Sequence, residues 1–241
     1  MKKQNFIISK FGKIPCIILA RKGSKGLKNK NTFELKQKPL IVYSIEYAQK
    51  CKFVTDIIIS TDDPKVYRLA KKYNCFCIFP RPKYLSNDDA KSEPAMLHAL
   101  TEFEKKNGKT KYYAYLQCTE PLRPKEILND CFKNILYNKK IDSSFAGYEM
   151  HKNIWENKKG KIKRITNFNH RNLPRQKKNP ILREDTGVAL VSKSAILRDQ
   201  MERIGKKVKI VPYNSVEGLI DIHTIDDIKL AESILNFNEK K

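Results

Sequence analysis

A short apolar run that breaks into a basic, glycine-containing loop constrains this chain more than any other stretch. Residues 14–20 are apolar almost without interruption, as in a parallel strand buried on both faces. The next residues, 21–31, read RKGSKGLKNKN, so two glycines three positions apart stand among several cations. Glycine permits backbone conformations closed to other residues and lets a ligand approach closely. The stretch predicts a strand followed by a loop that binds a polyphosphate at the carboxyl end of a sheet.

The spacing of this basic loop, residues 21–31, leaves two interpretations open. It contains neither G-x-x-x-x-G-K-[ST] nor G-x-G-x-x-G, so two well-known phosphate-binding fingerprints are absent. Arg21, Lys25 and Lys30 could surround a bound anion with positive charge, or they could belong to an ordinary basic surface turn. Only the rest of the chain can decide between these interpretations.

Strand-like and helix-like segments alternate through the first 140 residues. Short β-branched or apolar runs predict strands at 14–20, 56–60, 75–79 and 112–117. Helical spacing predicts helices at 39–51, 65–73, 92–105 and 125–137, with Pro39 in a first turn and Ser92 as a cap. This alternation is typical of an α/β protein with a doubly wound, mostly parallel sheet of the Rossmann-like kind.

The periodicity changes in the second half of the chain. From residue 148 to about 184 there is no long periodic segment, and so long an irregular stretch predicts an arm or lid rather than a plain loop. Strand-like segments return at 186–191, 207–211 and 218–222, and Thr224 is expected to begin a last helix. We therefore predict a single domain over residues 1–241 with an inserted arm at about 148–186.

Composition narrows the class of protein. Hydrophobic residues make up 40% of the chain, which is typical of a folded globular domain. No run of about eighteen apolar residues is present, so we expect no membrane span, and residues 1–13 lack the apolar centre of a signal peptide. The six cysteines are scattered without the spacing of zinc ligands, which indicates buried free thiols and a cytoplasmic protein.

A net charge of +23 would usually indicate a nucleic-acid partner. Lysine outnumbers arginine about four to one, however, and the lysines are spread along the whole chain. Scattered lysines are typical of solvated helix faces. We therefore do not expect DNA or RNA as the main partner, and a small anionic substrate accounts for the clustered part of the charge.

Polar motifs at the expected strand ends occur in an order that matches a known family. The patterns are A-R-x-G-S-K-G-[IL]-x-x-K-N at 20–31, K-P-L-I at 38–41, S-T-D-D at 60–63, Arg81, L-Q-x-T-x-P-L-R at 116–123, I-D-I at 220–222 and D-x-x-x-A-E at 227–232. Over nearly its whole length, the chain resembles the cytidylyltransferases that activate nonulosonic acids, typified by the CMP-sialic acid synthetases. The order of these motifs favours the phosphate-binding interpretation of the basic loop.

The resemblance implies roles for individual residues. CTP phosphates would lie against Arg21, Gly23, Ser24 and Lys30, with Arg21, Lys30 and Asp221 as the catalytic groups. The cytidine would lie among Asn31, Arg81 and Ser92. Gln117 would contact the acid sugar, Arg175 its carboxylate, and Lys152 would be a second carboxylate contact. Taken singly, several of these residues have ordinary explanations: Asp221 could cap a strand end, Gln117 could satisfy a loop backbone, Asp62 could form a turn, and Arg123 could be structural.

One departure from the family pattern concerns the metal. The family commonly has D-x-D where this chain has Asp221 and His223. Mg²⁺ prefers oxygen ligands, so Asp221 is expected to be the protein ligand, with nucleotide phosphates and water completing the shell. His223 could bind through water, favour Mn²⁺, or leave the metal alone.

The implied reaction is transfer of CMP from CTP to the anomeric hydroxyl of a sialic or legionaminic-like acid, with release of pyrophosphate. Two other functions stay open. A related enzyme could use an eight-carbon 3-deoxy-2-keto acid sugar, and a non-catalytic basic binding protein could use the same scaffold. The resemblance also implies a homodimer, in which the arm reaches the neighbouring subunit.

Overall fold

A seven-stranded sheet with helices on both faces forms the centre of the protein. The computed structural model describes residues 2–166 and 172–239. The strands are β1 Pro15–Leu19, β2 Glu34–Leu35, β3 Lys38–Pro39, β4 Asp56–Ser60, β5 Phe76–Ile78, β6 Tyr112–Gln117, β7 Ser143–Met150, β8 Trp155–Lys158, β9 Lys161–Arg164, β10 Ile181–Lys193 and β11 Val208–Tyr213. The helices are α1 Lys2–Phe11, α2 Leu40–Lys50, α3 Pro64–Lys72, α4 Ser92–Asn107, α5 Ile127–Leu136, α6 Ser194–Gln200 and α7 Ile225–Glu239.

The strand order of the central sheet is β11-β7-β10-β6-β1-β4-β5. Strand β10 is antiparallel to both of its neighbours, and the other adjacent strands are parallel. This confirms the predicted α/β class with a mostly parallel sheet. The chain builds outward from β1 through β4 to β5 and then returns to place β6 on the other side of β1. The topological switch point, where ligands bind in such sheets, therefore lies between β1 and β6.

Strand β1 shows why an unbroken apolar run was needed at this position. Cys16 and Ile18 point into a core formed with α1, α2, α3 and α5, and Ile17 points into a second core formed with α4 and α6. All three side chains are fully buried, because helices cover both faces of the strand. All six cysteines of the chain are free thiols, and five of them are buried.

A third, smaller apolar cluster fixes the loops at the carboxyl ends of β1 and β6. It brings together Leu27 of the basic loop, Leu122 of the turn after β6, Ile220 and Ile222 of the segment before α7, and Ile228 of α7. Three segments that are far apart in the sequence are thereby packed against one another. Their polar residues share one end of the sheet for this reason.

The buried guanidinium of Arg123 supports the same end of the sheet from below. Its Nε donates to the Val188 carbonyl at 2.9 Å and its Nη1 to Ser44 Oγ at 3.1 Å. Nη2 donates to the carbonyl oxygens of Gln117 and Gly187. A single side chain thus connects the end of β6, the middle of β10 and helix α2. Arg123 therefore has a structural role, which was one of the roles considered for it from the sequence. Its hydrogen-bond partners are three carbonyl oxygens and one hydroxyl group.

The predicted strand at residues 218–222 is wrong. A 3-10 turn at Glu217–Leu219 is followed by an extended segment that pairs with none of the described strands. The apolar residues Ile220 and Ile222 are buried in the third cluster, and the Ile222 amide donates to the Thr119 carbonyl at 2.7 Å. Packing against that cluster, rather than a place in the sheet, therefore explains the apolar alternation.

Two predicted helix starts shift by one residue. Lys91 occupies the N-cap position of α4 and gives no side-chain cap, so Ser92 is the first helical residue rather than the cap. Pro39 has an extended backbone in β3 and stands before α2 instead of in its first turn. Helix α1 was not predicted, because its ten residues carry only a short apolar face.

The predicted arm begins as an extension of the sheet. Strands β7 and β10 stay paired as far as Met150 opposite Ile181, so β10 is much longer than the expected 186–191. Beyond them, β8 and β9 form a separate hairpin with exposed Trp155 and Ile162. Residues 167–171 of the predicted arm lie outside the described residues. No helix among those described combines the length and apolar character that a bilayer span requires.

We expect Arg123→Lys to lower the free energy of unfolding by about 2 kcal/mol, because lysine cannot supply the planar set of donors that reaches two strands and a helix. Urea unfolding followed by circular dichroism measures the change. Arg68→Lys, at an exposed position of α3, is the matched control and should cost less than about 0.5 kcal/mol. An equal effect of the two substitutions would contradict the supporting role of Arg123.

Candidate active site

A polar cavity opens at the switch point, outside the carboxyl ends of β1 and β6. It is lined by Leu19 and Arg21 from the end of β1, Tyr115 and Gln117 from β6, and residues from the two segments that flank them. The flanking residues include Asn31, Arg81 and Ser92. Of the predicted nucleotide-binding residues, the structure thus brings Arg21, Asn31, Arg81 and Ser92 to one cavity.

The basic loop takes its shape from its two glycines in different ways. Gly23 has a φ of 83°, in the left-handed region that favours glycine. Gly26 instead packs against the protein itself, because a Cβ at this position would lie 2.5 Å from the carbonyl oxygen of His223. Asn31 Nδ2 donates to the Arg21 carbonyl at 2.9 Å and closes the loop. The close approach at Gly26 therefore joins the basic loop to the segment of Asp221, and does not make room for a ligand.

A buried arginine forms the opposite wall of this cavity. The side chain of Arg81 is only about 2% exposed, and its Nε donates to Ser86 Oγ at 3.1 Å. Its Nη2 is buried, lies 3.9 Å from Asp62 Oδ1 and has no hydrogen-bond partner. Asp62 itself accepts from the Lys22 amide at 2.7 Å, so it links this wall to the basic loop. An unpartnered guanidinium nitrogen beside a cavity is suited to a polar group of a ligand.

A carboxylate already neutralises part of the basic loop. Asp88 Oδ1 accepts from Arg21 Nη1 at 2.7 Å, and its Oδ2 lies 2.9 Å from Lys25 Nζ. These two hydrogen bonds hold the pKa of the Asp88 carboxyl below its usual range. An anion that bound to Arg21 and Lys25 would therefore compete with Asp88 for the same donors.

Lys30 lies on the far side of the loop, close to Asp221. Burial lowers the pKa of its ammonium group, and the charge of Arg21 lowers it further. The carboxylates of Asp221 and Asp227 act in the opposite direction. Lys30 is thus a half-buried cation within electrostatic reach of both Arg21 and Asp221.

A second polar cavity adjoins the first, and Gln117 lines both of them. It is bounded by Glu120, by Asp185, Thr186 and Gly187 of β10, and by Asp221. Asp185 is fully engaged there, because Arg183 donates to both of its oxygens at 2.7 and 3.0 Å and Tyr213 Oη lies 2.5 Å from Oδ2.

Glu120 differs from Asp185 in having a buried Oε2 with no hydrogen-bond partner. Burial raises the pKa of its carboxyl to about 8; Asp221 and Asp185 add to the rise, whereas Arg123 and Arg183 oppose it. A carboxyl group in this state can donate a hydrogen bond as well as accept one.

Asp221 and His223 meet at the edge of this second cavity. Asp221 Oδ2 lies 2.9 Å from His223 Nε2, although the segment that carries both residues is not a strand. Among the residues described, no group of three or more His, Cys, Asp or Glu side chains is arranged to hold a metal ion. A single carboxylate beside an anion-binding loop nevertheless fits Mg²⁺ bound together with phosphates, since that ion keeps water and phosphate oxygens as most of its ligands.

Other predicted residues lie away from the two cavities. Gly23 and Ser24 are in the basic loop but line neither cavity. Arg175 is exposed on a 3-10 turn at Arg175–Lys177, and Lys152 lies at the base of the arm hairpin beside a separate groove. Within one subunit, Arg175 and Lys152 are therefore not brought to Gln117.

Sequence reasoning missed the acidic residues of the site, Asp88, Glu120 and Asp185. Each of them belongs to a loop or strand segment next to a predicted ligand residue, which was the available signal. Asp88 and its partner Arg21, for example, are 67 residues apart in the sequence. Local spacing does not indicate contacts of that kind.

A family model for cytidylyltransferases matches residues 15–231, nearly the whole chain. The chain belongs to the cytidylyltransferase family. It is accordingly a nucleotidyltransferase, and the predicted family and enzyme class are confirmed.

Several curated relatives of this cytidylyltransferase are named for acid sugars. The chain is 27% identical over 230 residues to a pseudaminic acid cytidylyltransferase from Campylobacter jejuni serotype O:23/36, with 93% of this chain and 97% of the relative covered. It is 42% identical over 91 residues to a CMP-N,N'-diacetyllegionaminic acid synthase from Campylobacter jejuni serotype O:2, with 38% and 39% covered. Among solved structures, the fold resembles a CMP:2-keto-3-deoxy-manno-octonic acid synthetase complexed with CTP, with a TM-score of 0.68, 14% identity, and 94% and 99% covered.

We expect Asp88→Asn to tighten the binding of CTP by about two- to fivefold at low salt, because it removes a carboxylate that competes for Arg21 and Lys25. Calorimetric titration at two ionic strengths measures the effect, which should shrink as salt is added. Asp89→Asn, at the neighbouring exposed carboxylate, is the control. Weaker CTP binding in Asp88→Asn at both salt concentrations would show that Asp88 supports the site instead of competing for it.

Proposed function

We propose that this cytidylyltransferase transfers CMP from CTP to the anomeric hydroxyl of a nonulosonic acid of the sialic or legionaminic type and releases pyrophosphate. The observation that carries the proposal is the pair of adjoining cavities that share Gln117. One is bordered by the basic loop, and the other is rich in hydrogen-bond acceptors. Asp221 lines the second cavity, and Lys30, which lines neither cavity, lies within electrostatic reach of Asp221.

The first cavity is suited to the nucleotide. Its basic loop would hold the phosphates through Arg21, Lys30 and the backbone around Gly23 and Ser24. The base would lie toward the buried Arg81, whose Nη2 lacks a partner, with Asn31 and Ser92 nearby. Fixed polar groups of this kind favour a base that satisfies them, because the wrong base would leave them buried and unpaired.

The reaction needs the acceptor hydroxyl in line with the α-phosphorus. The anomeric oxygen forms a bond to that phosphorus, the bond from the phosphorus to the bridging oxygen breaks, and pyrophosphate leaves while the hydroxyl proton is released to water. Gln117, at the junction of the cavities, would orient the sugar. Arg21 and Lys30 would stabilise the charge that develops on the phosphate oxygens, so catalysis comes from positioning and electrostatics.

We also propose Mg²⁺ as the cofactor, held by Asp221 together with nucleotide phosphates; Mn²⁺ is a chemically reasonable substitute. The bound ion would neutralise phosphate charge. The carboxylate of Asp221 is the donor that fits, and its 2.9 Å contact with His223 would be rearranged or shared when the ion binds.

The relatives support the proposed class of acceptor. Proteins named for pseudaminic, legionaminic and N-acylneuraminic acids are all similar to this chain, and all three names denote nonulosonic acids. The basic-loop sequence supports the sialic or legionaminic type. Similarity to the octonic acid synthetase structure is at the level of fold, so an eight-carbon acceptor enters as an alternative outcome of the test.

The test is release of pyrophosphate from CTP with a panel of acid sugars in the presence of Mg²⁺. The panel holds N-acetylneuraminic acid, N,N'-diacetyllegionaminic acid, pseudaminic acid and 2-keto-3-deoxy-manno-octonic acid. We expect CMP-sugar formation with a nine-carbon acid and a preference for CTP over UTP, ATP and GTP. Turnover of the octonic acid alone would establish the alternative acceptor. No pyrophosphate with any sugar, despite CTP binding, would favour a non-catalytic binding protein.

The metal assignment makes its own prediction. Asp221→Asn should lower turnover by at least about a hundredfold, because it removes the protein carboxylate assigned to the ion. His223→Asp should preserve or raise activity with Mg²⁺, since it places a second hard oxygen donor two residues from Asp221. Steady-state rates with Mg²⁺ and Mn²⁺ measure both effects. Loss of activity in His223→Asp with tolerance of Asp221→Asn would overturn the assignment.

A homodimer completes the proposal. Arg175 and Lys152 lie away from Gln117 within one subunit, and Trp155, Ile162 and Ile165 expose apolar surface on the arm. An arm with these properties can dock on a second copy and bring cations to the neighbouring sugar cavity.

We therefore expect a dimer by light scattering at micromolar concentration. Trp155→Ser combined with Ile162→Ser should shift it toward a monomer of 28.1 kDa, because the exposed apolar surface is removed. In the dimer, Arg175→Ala should raise the KM for the sugar while CTP binding is preserved. A monomeric wild-type protein at that concentration would contradict this part of the proposal.

A further inference from the structure

Glu120 is a polar residue of the second cavity that has no assigned role in the proposed reaction. It stands three residues beyond the end of β6, on the turn that Arg123 supports, and its side chain is mostly buried. Its Oε2 is inaccessible to solvent and lacks a hydrogen-bond partner. A buried polar atom without a partner is destabilising, so natural proteins keep one mainly where it has a function.

The backbone of β10 is shaped to accommodate this side chain. A Cβ at Gly187 would collide with Glu120 Oε2 and would lie 2.8 Å from both Cδ and Oε1 of Gln117. Glu120 and Gln117 therefore approach the same point on β10, where only glycine leaves room for both. Since Gln117 lines both cavities, Glu120 is placed directly beside the junction where the acceptor must lie.

The charges of the cavity indicate which part of a ligand it accepts. Glu184, Asp185 and Asp221 supply negative charge there, Glu120 adds a carboxyl group, and Arg183 is the one cation among the lining residues in the described chain. Arg183 donates to both oxygens of Asp185, so it is already committed. A cavity with so many acceptors repels a carboxylate and attracts hydroxyl and amide N–H groups.

We propose that Glu120 is a specificity-determining residue for the acceptor: together with Gln117, it binds a hydroxyl or acylamino N–H group of the sugar in the second cavity. The sugar carboxylate then points out of this cavity. The inference rests on the proposed function and adds to it which group of the sugar the second cavity binds. Asp185, whose oxygens are already occupied, shapes the cavity but leaves the binding of the donor group to Glu120.

The test compares acceptors that differ by one hydrogen-bond donor. The probes are the acid sugar that wild-type enzyme turns over and its O-methyl and N-methyl analogues, each with one donor removed. Wild-type enzyme should discriminate against one analogue by about tenfold or more in kcat/KM, because that analogue leaves a buried acceptor unpaired. In Glu120→Ala this discrimination should fall to about twofold or less. Glu202→Gln, at an exposed position before β11, is the control and should keep the wild-type ratio.

Two further measurements separate recognition of the sugar from a structural role. The CTP-induced rise in Tm should be the same in Glu120→Gln as in wild type, while the sugar KM increases. Gly187→Ala should also raise the sugar KM, because its Cβ would displace both Glu120 and Gln117 while leaving the two side chains chemically unchanged. If Glu120→Ala does not fold, the discrimination ratio is measured in Glu120→Gln and Gly187→Ala, and its loss in both is expected.

The possible failures are distinct from one another. Wild-type turnover with an unchanged discrimination ratio in the Glu120 variants would overturn the role of Glu120 alone. A uniform loss toward every acceptor, together with a lost CTP response, would show that Glu120 supports the fold. Absence of pyrophosphate release by wild-type enzyme with every acid sugar would overturn the proposed function and this inference with it.

Discussion

The geometry of this enzyme depends on a buried arginine that has carbonyl oxygens as its main partners. Arg123 binds the carbonyl groups of Gln117, Gly187 and Val188 and the hydroxyl group of Ser44. These groups belong to the end of β6, the middle of β10 and helix α2. A desolvated guanidinium is costly unless its donors are satisfied, so the position of each of these backbones is fixed by the need to satisfy it. The two cavities that share Gln117 are built on top of this arrangement.

Charge divides the site into two parts with different chemistry. Arg21, Lys25 and Lys30 make the basic loop positive, and Glu184, Asp185 and Asp221 make the second cavity acidic. Asp88 offsets the positive side while no nucleotide is bound, which limits the repulsion among neighbouring cations. In the proposed function, separation of the two signs would let a polyphosphate and a donor-rich sugar occupy adjacent positions without exchanging places.

Much of the fold could be predicted from the sequence, because helices on both faces of a sheet demand apolar strands with clear ends. Strands β4 and β6 have the predicted bounds, and Arg21, Asn31, Arg81, Ser92 and Gln117 meet at one cavity as the motifs imply. The segment 218–222 was wrongly predicted to be a strand, because burial in a small cluster produces the same alternation of apolar and polar residues as a strand does. Asp88 and Glu120 could not be found, because their roles depend on contacts across loops whose path the sequence pattern does not specify.

The same electrostatics bear on the proposed homodimer. In the described part of the chain, the second cavity offers Arg183 as its one lining cation, and that cation is paired with Asp185. The carboxylate of an acid sugar must therefore find positive charge outside the cavity. Lys152 and Arg175 are cations of the arm region, and neither lines the cavity within one subunit. If a second copy supplies them, association would complete the binding site, and the distance of these residues from Gln117 within one chain would be a consequence of that design.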